Sequence, residues 1–135
     1  MYIASDEDLA AAMDRMRKAG TDLAEYEVKS AAGGFPKSIP DTISAFANTY
    51  GGTIVLGVSE KDGFSPVPDS DTKTLQSKLA QAARELVEPP QAVDLLVLQL
   101  EGRPVVVANV REAPVREKPC FVRKLGQMGG SFVRT

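Results

Sequence analysis

Histidine and tryptophan are absent from this 135-residue sequence, and cysteine occurs once, at Cys120. Without histidine there is no His-based catalytic triad and no Cys/His zinc site, and one cysteine rules out an intramolecular disulfide or a CxxC redox pair. Acid-base or metal chemistry is left to Asp, Glu, Lys, Tyr and Ser. Aromatic residues make up 6% of the chain, too few for base stacking to dominate nucleic-acid affinity unless Tyr26, Tyr50 or Phe64 is exposed. No stretch approaches the ~18 apolar residues of a membrane span. The start, MYIASDEDLA, lacks the basic region and apolar run of a secretory leader, so the expected location is cytoplasmic.

What is present is a globular composition, 43% hydrophobic and 25% charged, at a length that fits one domain. The net charge of −2 is not the strongly basic balance of a stand-alone nucleic-acid binder. It hides an asymmetry. Residues 1–100 carry nine basic and 15 acidic side chains, whereas residues 101–135 carry seven basic and three acidic. A basic C-terminal region beside an acidic body can hold an anionic backbone locally.

Periodicity orders the elements. Ser5 before Asp6, Glu7 and Asp8 is a helix cap, and Leu9, Ala12, Met13 and Met16 share one helical face that ends near Gly20. Around residues 22–30, Ala24, Tyr26 and Val28 alternate with Glu25, Glu27 and Lys29, as in a half-buried strand. Ser38 and Asp41 suggest a capping box with Pro40 in the first turn, opening a helix that carries Ile39, Ile43, Phe46 and Ala47 and stops at Gly51-Gly52. The apolar run at residues 53–58 predicts a central strand buried on both faces. After a loop, residues 72–87 read as a helix with Leu75, Leu79, Ala82, Ala83 and Leu86 inward, halted by Pro89-Pro90. VDLLVLQL and PVVVANV flank Glu101-Gly102-Arg103 as an antiparallel hairpin, and CFVRK and SFVRT suggest a closing hairpin. The fold class expected is α+β, a mixed, largely antiparallel sheet with about three helices packed on it.

Three pieces occur in order: Glu27-Val28-Lys29, then Thr42-Ile43-Ser44-Ala45-Phe46-Ala47-Asn48-Thr49 with Gly51-Gly52, then Ile54-Val55-Leu56-Gly57-Val58. With Pro119 and the terminal Phe132-Val133-Arg134, they closely resemble the Schlafen AlbA-like domain of bacterial transcriptional regulators and Schlafen proteins, over about residues 20–134. The resemblance implies a nucleic-acid-binding domain at 20–135, preceded by an N-terminal helix at 1–19. It also implies a longer protein, with a winged-helix or ATP-binding region following. Schlafen cores act as metal-dependent ribonucleases, and their acidic positions fall here on Asp22, Glu27 and Glu60, a trio suited to Mg²⁺ or Mn²⁺. Asp22 stands where the family has Glu, and Val28 where it has Phe.

Three functions are therefore weighed. The first is binding of nucleic acid, DNA or RNA, through Lys29, Asn48, Arg123, Lys124 and Arg134. The second is a metal-dependent nuclease using Asp22, Glu27 and Glu60. The third is a protein-interaction or oligomerisation domain, with a homodimer as one form. Each residue also has a plain reading. Glu27 and Lys29 can pair on one strand face, Asn48 can cap its helix, and terminal cations can guard a sheet edge. Cys120 beside Phe121 is read as a buried small hydrophobe. Absence of a GxxxxGK[ST] motif excludes a P-loop.

Overall fold

The computed structural model describes residues 2–134. Met1 and Thr135, the outer bounds of the segments expected above, lie outside them. A four-stranded sheet sits between α1 (Asp6–Ala19) on one face and α2 (Ile39–Asn48) with α3 (Thr72–Gln81) on the other, an α+β architecture. Ser5 caps α1 (Asp6–Ala19) by accepting from the Asp8 N–H at 3.1 Å, and Gly20 ends it in the left-handed region. β1 (Tyr26–Lys29) is shorter than the alternation suggests, because a turn from Leu23 to Tyr26 occupies the residues before it.

The capping box expected at Ser38 does not form. Ser38 has helical backbone angles, which turn its hydroxyl away from the first-turn N–H groups, and its carbonyl instead accepts from Thr42. α2 (Ile39–Asn48) keeps Pro40 in its first turn and is halted where Gly51, at φ 76°, returns its N–H to the Phe46 carbonyl at 2.9 Å. Gly52 opens β2 (Gly52–Leu56), flat against the Phe46 ring, where a Cβ would collide with the ring carbons.

β2 is central and buried throughout, parallel to β1 and antiparallel to β7 (Arg103–Val110). Its alternation serves both layers: Ile54 and Leu56 join the α2/α3 side, and Val55 joins the α1 side with Tyr26, Val28, Leu9, Met13 and Met16. The apolar run breaks at Gly57, φ 108°, into β3 (Val58–Ser59), which pairs with β4 (Ser65–Pro66) inside what reads as loop. α3 (Thr72–Gln81) passes into a π-helical segment, Ala82–Leu86, and then β5 (Val87–Glu88). The wider π turn carries Leu86 off the stripe. Ala82 and Ala83 stay buried while Leu86, expected inward, is exposed.

β6 (Val93–Leu100) and β7 (Arg103–Val110) form the expected hairpin, with Glu101 and Gly102 both at positive φ. The sheet order is β1-β2-β7-β6. The closing hairpin is corrected. β8 (Phe121–Val122) pairs with β5, a 3₁₀ turn spans Arg123–Leu125, α4 (Gly126–Gly130) follows, and a single bridge joins Phe121 to Ser131. The glycines between the two apolar triplets favour this compact detour over a two-stranded ladder.

Candidate nucleic-acid interface

The cations expected to act together divide between two places. Lys29 and Arg134 converge on the exposed edge of β1. Glu27, whose side chain is 15% exposed, receives Arg134 at 3.0 Å and Lys29 at 3.4 Å. The Arg134 guanidinium also donates to the outward carbonyls of Ala24 and Tyr26, at 3.1 and 2.9 Å, and lies 4.8 Å from the Phe46 ring centroid. Its charge is therefore used to fasten the tail.

Asn48 works with it. Its amide oxygen accepts the Cys120 N–H at 2.6 Å, and its amide nitrogen donates to the carbonyls of Cys120 and Phe132, each at 2.8 Å. Ser44, one helical turn earlier, donates to the Cys120 carbonyl at 2.7 Å and accepts the Phe132 N–H at 3.1 Å. α2 thus clips together two chain segments that would otherwise have no ladder to join. Asn48 neither caps its helix nor presents its amide to solvent.

The second place is a groove of about 980 Å³ between the start of α2, the end of the α3 and π segment, and the 3₁₀ turn. Arg123 and Lys124 line it on that turn, rather than on strands, and are joined by Lys37 from the loop before α2 and Lys78 from α3. Lys37, Lys78 and Lys124 make no ion pair among the described residues, and Arg123 meets Glu88 at 3.1 Å in a pair about half exposed on both sides, a geometry that contributes little and exchanges readily. Asp41 and Glu85 also line the groove, so four cations face two acids. Phe35, Pro36, Pro40, Leu86, Val122 and Leu125 supply its apolar walls. A sequence stripe cannot find Lys37 and Lys78, because they come from different elements and lie off the buried faces of their own.

The acidic trio is not brought together. Asp22 precedes the first residue of β1, Glu60 lies exposed beyond the far end of the β1 and β2 pair, and Glu27 between them is neutralised by two cations. Among the described residues no group of three Asp, Glu, Cys or His side chains is close enough to hold a metal ion. A divalent ion demanding several carboxylate oxygens at one point does not fit this arrangement.

Of the aromatics, Tyr26 and Phe64 are buried, and Tyr50 is 92% exposed at a separate cleft with Tyr2 and Gly51. Burial raises the Tyr26 hydroxyl above its ordinary pKa, reinforced by Glu25 and opposed by Arg15, which donates to it at 2.6 Å. Cys120 is buried as expected, and desolvation, with Glu88 nearby, pushes its thiol up to about 11. It is packing, not a nucleophile. No helix among the described residues is long and apolar enough to cross a membrane.

A family model described as Schlafen, AlbA_2 matches residues 23–135. The solution NMR structure of the N-terminal domain of a RecG-related protein from Nitrosomonas europaea superposes with a TM-score of 0.75 at 27% identity, covering 98% of this chain and 90% of that one. The DIP2311 protein from Corynebacterium diphtheriae shares the fold with a TM-score of 0.54 at 18% identity, over 87% of this chain and 24% of that one. No curated protein matches.

Proposed function

Because the chain belongs to the Schlafen AlbA_2 family, we propose that it is a nucleic-acid-binding domain, acting on DNA as the N-terminal part (residues 20–135, with the helix at 1–19) of a longer transcriptional regulator. One observation carries the reading: the groove where Lys37, Lys78, Arg123 and Lys124 gather from three separate parts of the chain, three of them without an ion-pair partner among the described residues. Cations left exposed around a concave apolar surface gain most from a polyanion, which releases its counterions on contact. The RecG-related neighbour, described in its own right as a candidate ATP-dependent DNA helicase, supports the same direction. Arg123 and Lys124, with Lys37 and Lys78, contact backbone phosphates. Lys29 stays paired with Glu27 on the β1 edge, and Asn48 and Arg134 hold the fold that presents the groove.

With a net charge of −2, the isolated chain binds weakly at physiological salt. Fluorescence anisotropy with single-stranded and duplex oligonucleotides, titrated across salt, tests this. Affinity that falls with salt, each neutralised phosphate contributing roughly −0.7 to −0.9 to the slope of log K against log salt, supports phosphate contact. A slope of zero removes it. The nuclease reading is separated by incubating structured RNA and single-stranded DNA with Mn²⁺. Cleavage abolished in Glu27→Gln would replace binding with hydrolysis as the activity, and binding alone predicts intact substrate.

A further inference from the structure

The central sheet has two outer strands, and the chain treats their free edges differently. At β1 the outward carbonyls of Ala24 and Tyr26 are occupied by Arg134. At β6 the outward side is revealed by Gln99, whose N–H leaves the sheet to reach the Asp6 carboxylate at 2.9 Å. Backbone groups of alternate residues point the same way along an antiparallel strand, so Val93, Leu95 and Val97 also direct theirs outward. β6 is eight residues long, pairs with β7 in unbroken register from Val93 to Leu100, contains no Lys and no Pro, and leaves Val97 39% exposed. Edges that must stay single are blunted by brevity, lysine, proline or a bulge. The middle of β6 has none of these.

We propose that β6 is a homodimerisation edge, across which two copies of this chain pair antiparallel about a two-fold axis at Leu96 and double the sheet. The second copy is favoured by how the strand complements itself. Outward-facing residues must oppose outward-facing residues, so Leu95 meets Val97 of the other copy as the hydrogen-bonded pair, and Val93 falls opposite its Gln99, whose N–H stays with Asp6. The strand's only charge, Asp94, falls opposite Leu98 and is already paired with Arg111 at 3.2 Å, so no like charges oppose. The ends match as well. Gln99 is tethered to the acidic first turn of α1, with Asp6, Glu7 and Asp8, whereas Val93 pairs with Val110, next to Arg111. Antiparallel pairing brings the acidic end of one copy toward the Arg111 end of the other, and parallel pairing would set acid against acid. This inference is independent of the groove.

Sedimentation velocity on the full chain is expected to show a species of twice 14.4 kDa. Val97→Lys, at an exposed position, and Val97→Pro, which removes an outward N–H without touching the β6 to β7 ladder, are each expected to weaken association about tenfold or more. In the parent, amide exchange at Leu95 and Val97 is expected to slow as concentration rises, while Val28 on the β1 edge does not respond. A monomer up to about 500 µM, a dimer indifferent to both substitutions, or a dimer without added protection at Leu95 and Val97 would each overturn the proposal.

Discussion

Arg134 and Lys124 belong to the same basic C-terminal stretch, yet one is held by four groups of the protein and the other, among the described residues, by none that carries opposite charge. The tail clasp built from Ser44, Asn48, Glu27 and Arg134 is closed, with its hydrogen-bonding capacity directed inward. The groove built from Lys37, Lys78, Arg123 and Lys124 is open. Positive charge in the sequence therefore does two unlike jobs, and the difference lies in what surrounds each cation. All four clasp residues lie within the motif that carries the family resemblance, so part of that motif reports how the domain is held shut. Residues suited to binding lie off the motif.

This contrast breaks first at Asn48. Asn48→Ala strands the Cys120 N–H and the Phe132 carbonyl and leaves the Cys120 carbonyl with Ser44 alone, so a loss of about 2–4 kcal/mol is expected in urea unfolding. A loss under about 0.5 kcal/mol would mean the clasp is idle. Gly52→Ala should cost about 1–3 kcal/mol by driving a methyl into the Phe46 ring, with no effect on oligonucleotide affinity once folded. Arg134→Ala should cost about 1–2 kcal/mol, and Arg134→Lys should recover only part, since an ammonium cannot reach Glu27 and two carbonyls in one plane.

A smaller effect comes from pH. The Cys120 thiol is raised in the fold from its ordinary 9.0 to about 11, so the unfolded chain ionises first as pH rises. Its contribution to stability is complete below pH 9 and is lost progressively toward pH 11. The Tm of the parent should fall more steeply over that window than the Tm of Cys120→Ala. Equal slopes would mean the thiol is not desolvated. Tyr26, raised by the same cause, sharpens the decline above its ordinary 10.0 in both proteins.

Elements decided locally were legible in the sequence. Ser5 caps α1 because its own neighbours supply the N–H groups, Glu101-Gly102 turns the β6 to β7 hairpin because both residues reach positive φ, and the apolar run at β2 marks the buried strand. Elements decided by distant partners were not. The tail after Val122 reads as a hairpin strand, but its carbonyl at Phe132 is taken by Asn48, 84 residues away in sequence. Leu86 obeys the α-helical spacing and is exposed because the helix widens before it. In the groove, Arg123 and Lys124 stand out through the basic C-terminal stretch, whereas Lys37 and Lys78 join them only through the packing of α2 against the end of α3. Asp22, Glu27 and Glu60 illustrate the converse: order along the chain suggested a cluster that the parallel β1 and β2 pair holds apart.

The salt dependence of oligonucleotide binding, measured side by side for the parent, Arg123→Ala/Lys124→Ala and Arg134→Lys, tests the division between clasp and groove most directly. The double substitution lies on the surface and should change stability by no more than about 0.5 kcal/mol. It should flatten the slope of log K against log salt by roughly 1.4–1.8, two phosphate contacts' worth, while Arg134→Lys leaves the slope as it is in the parent. An unchanged slope in the double variant, or an equal flattening in Arg134→Lys, would contradict the assignment of phosphate contact to the groove.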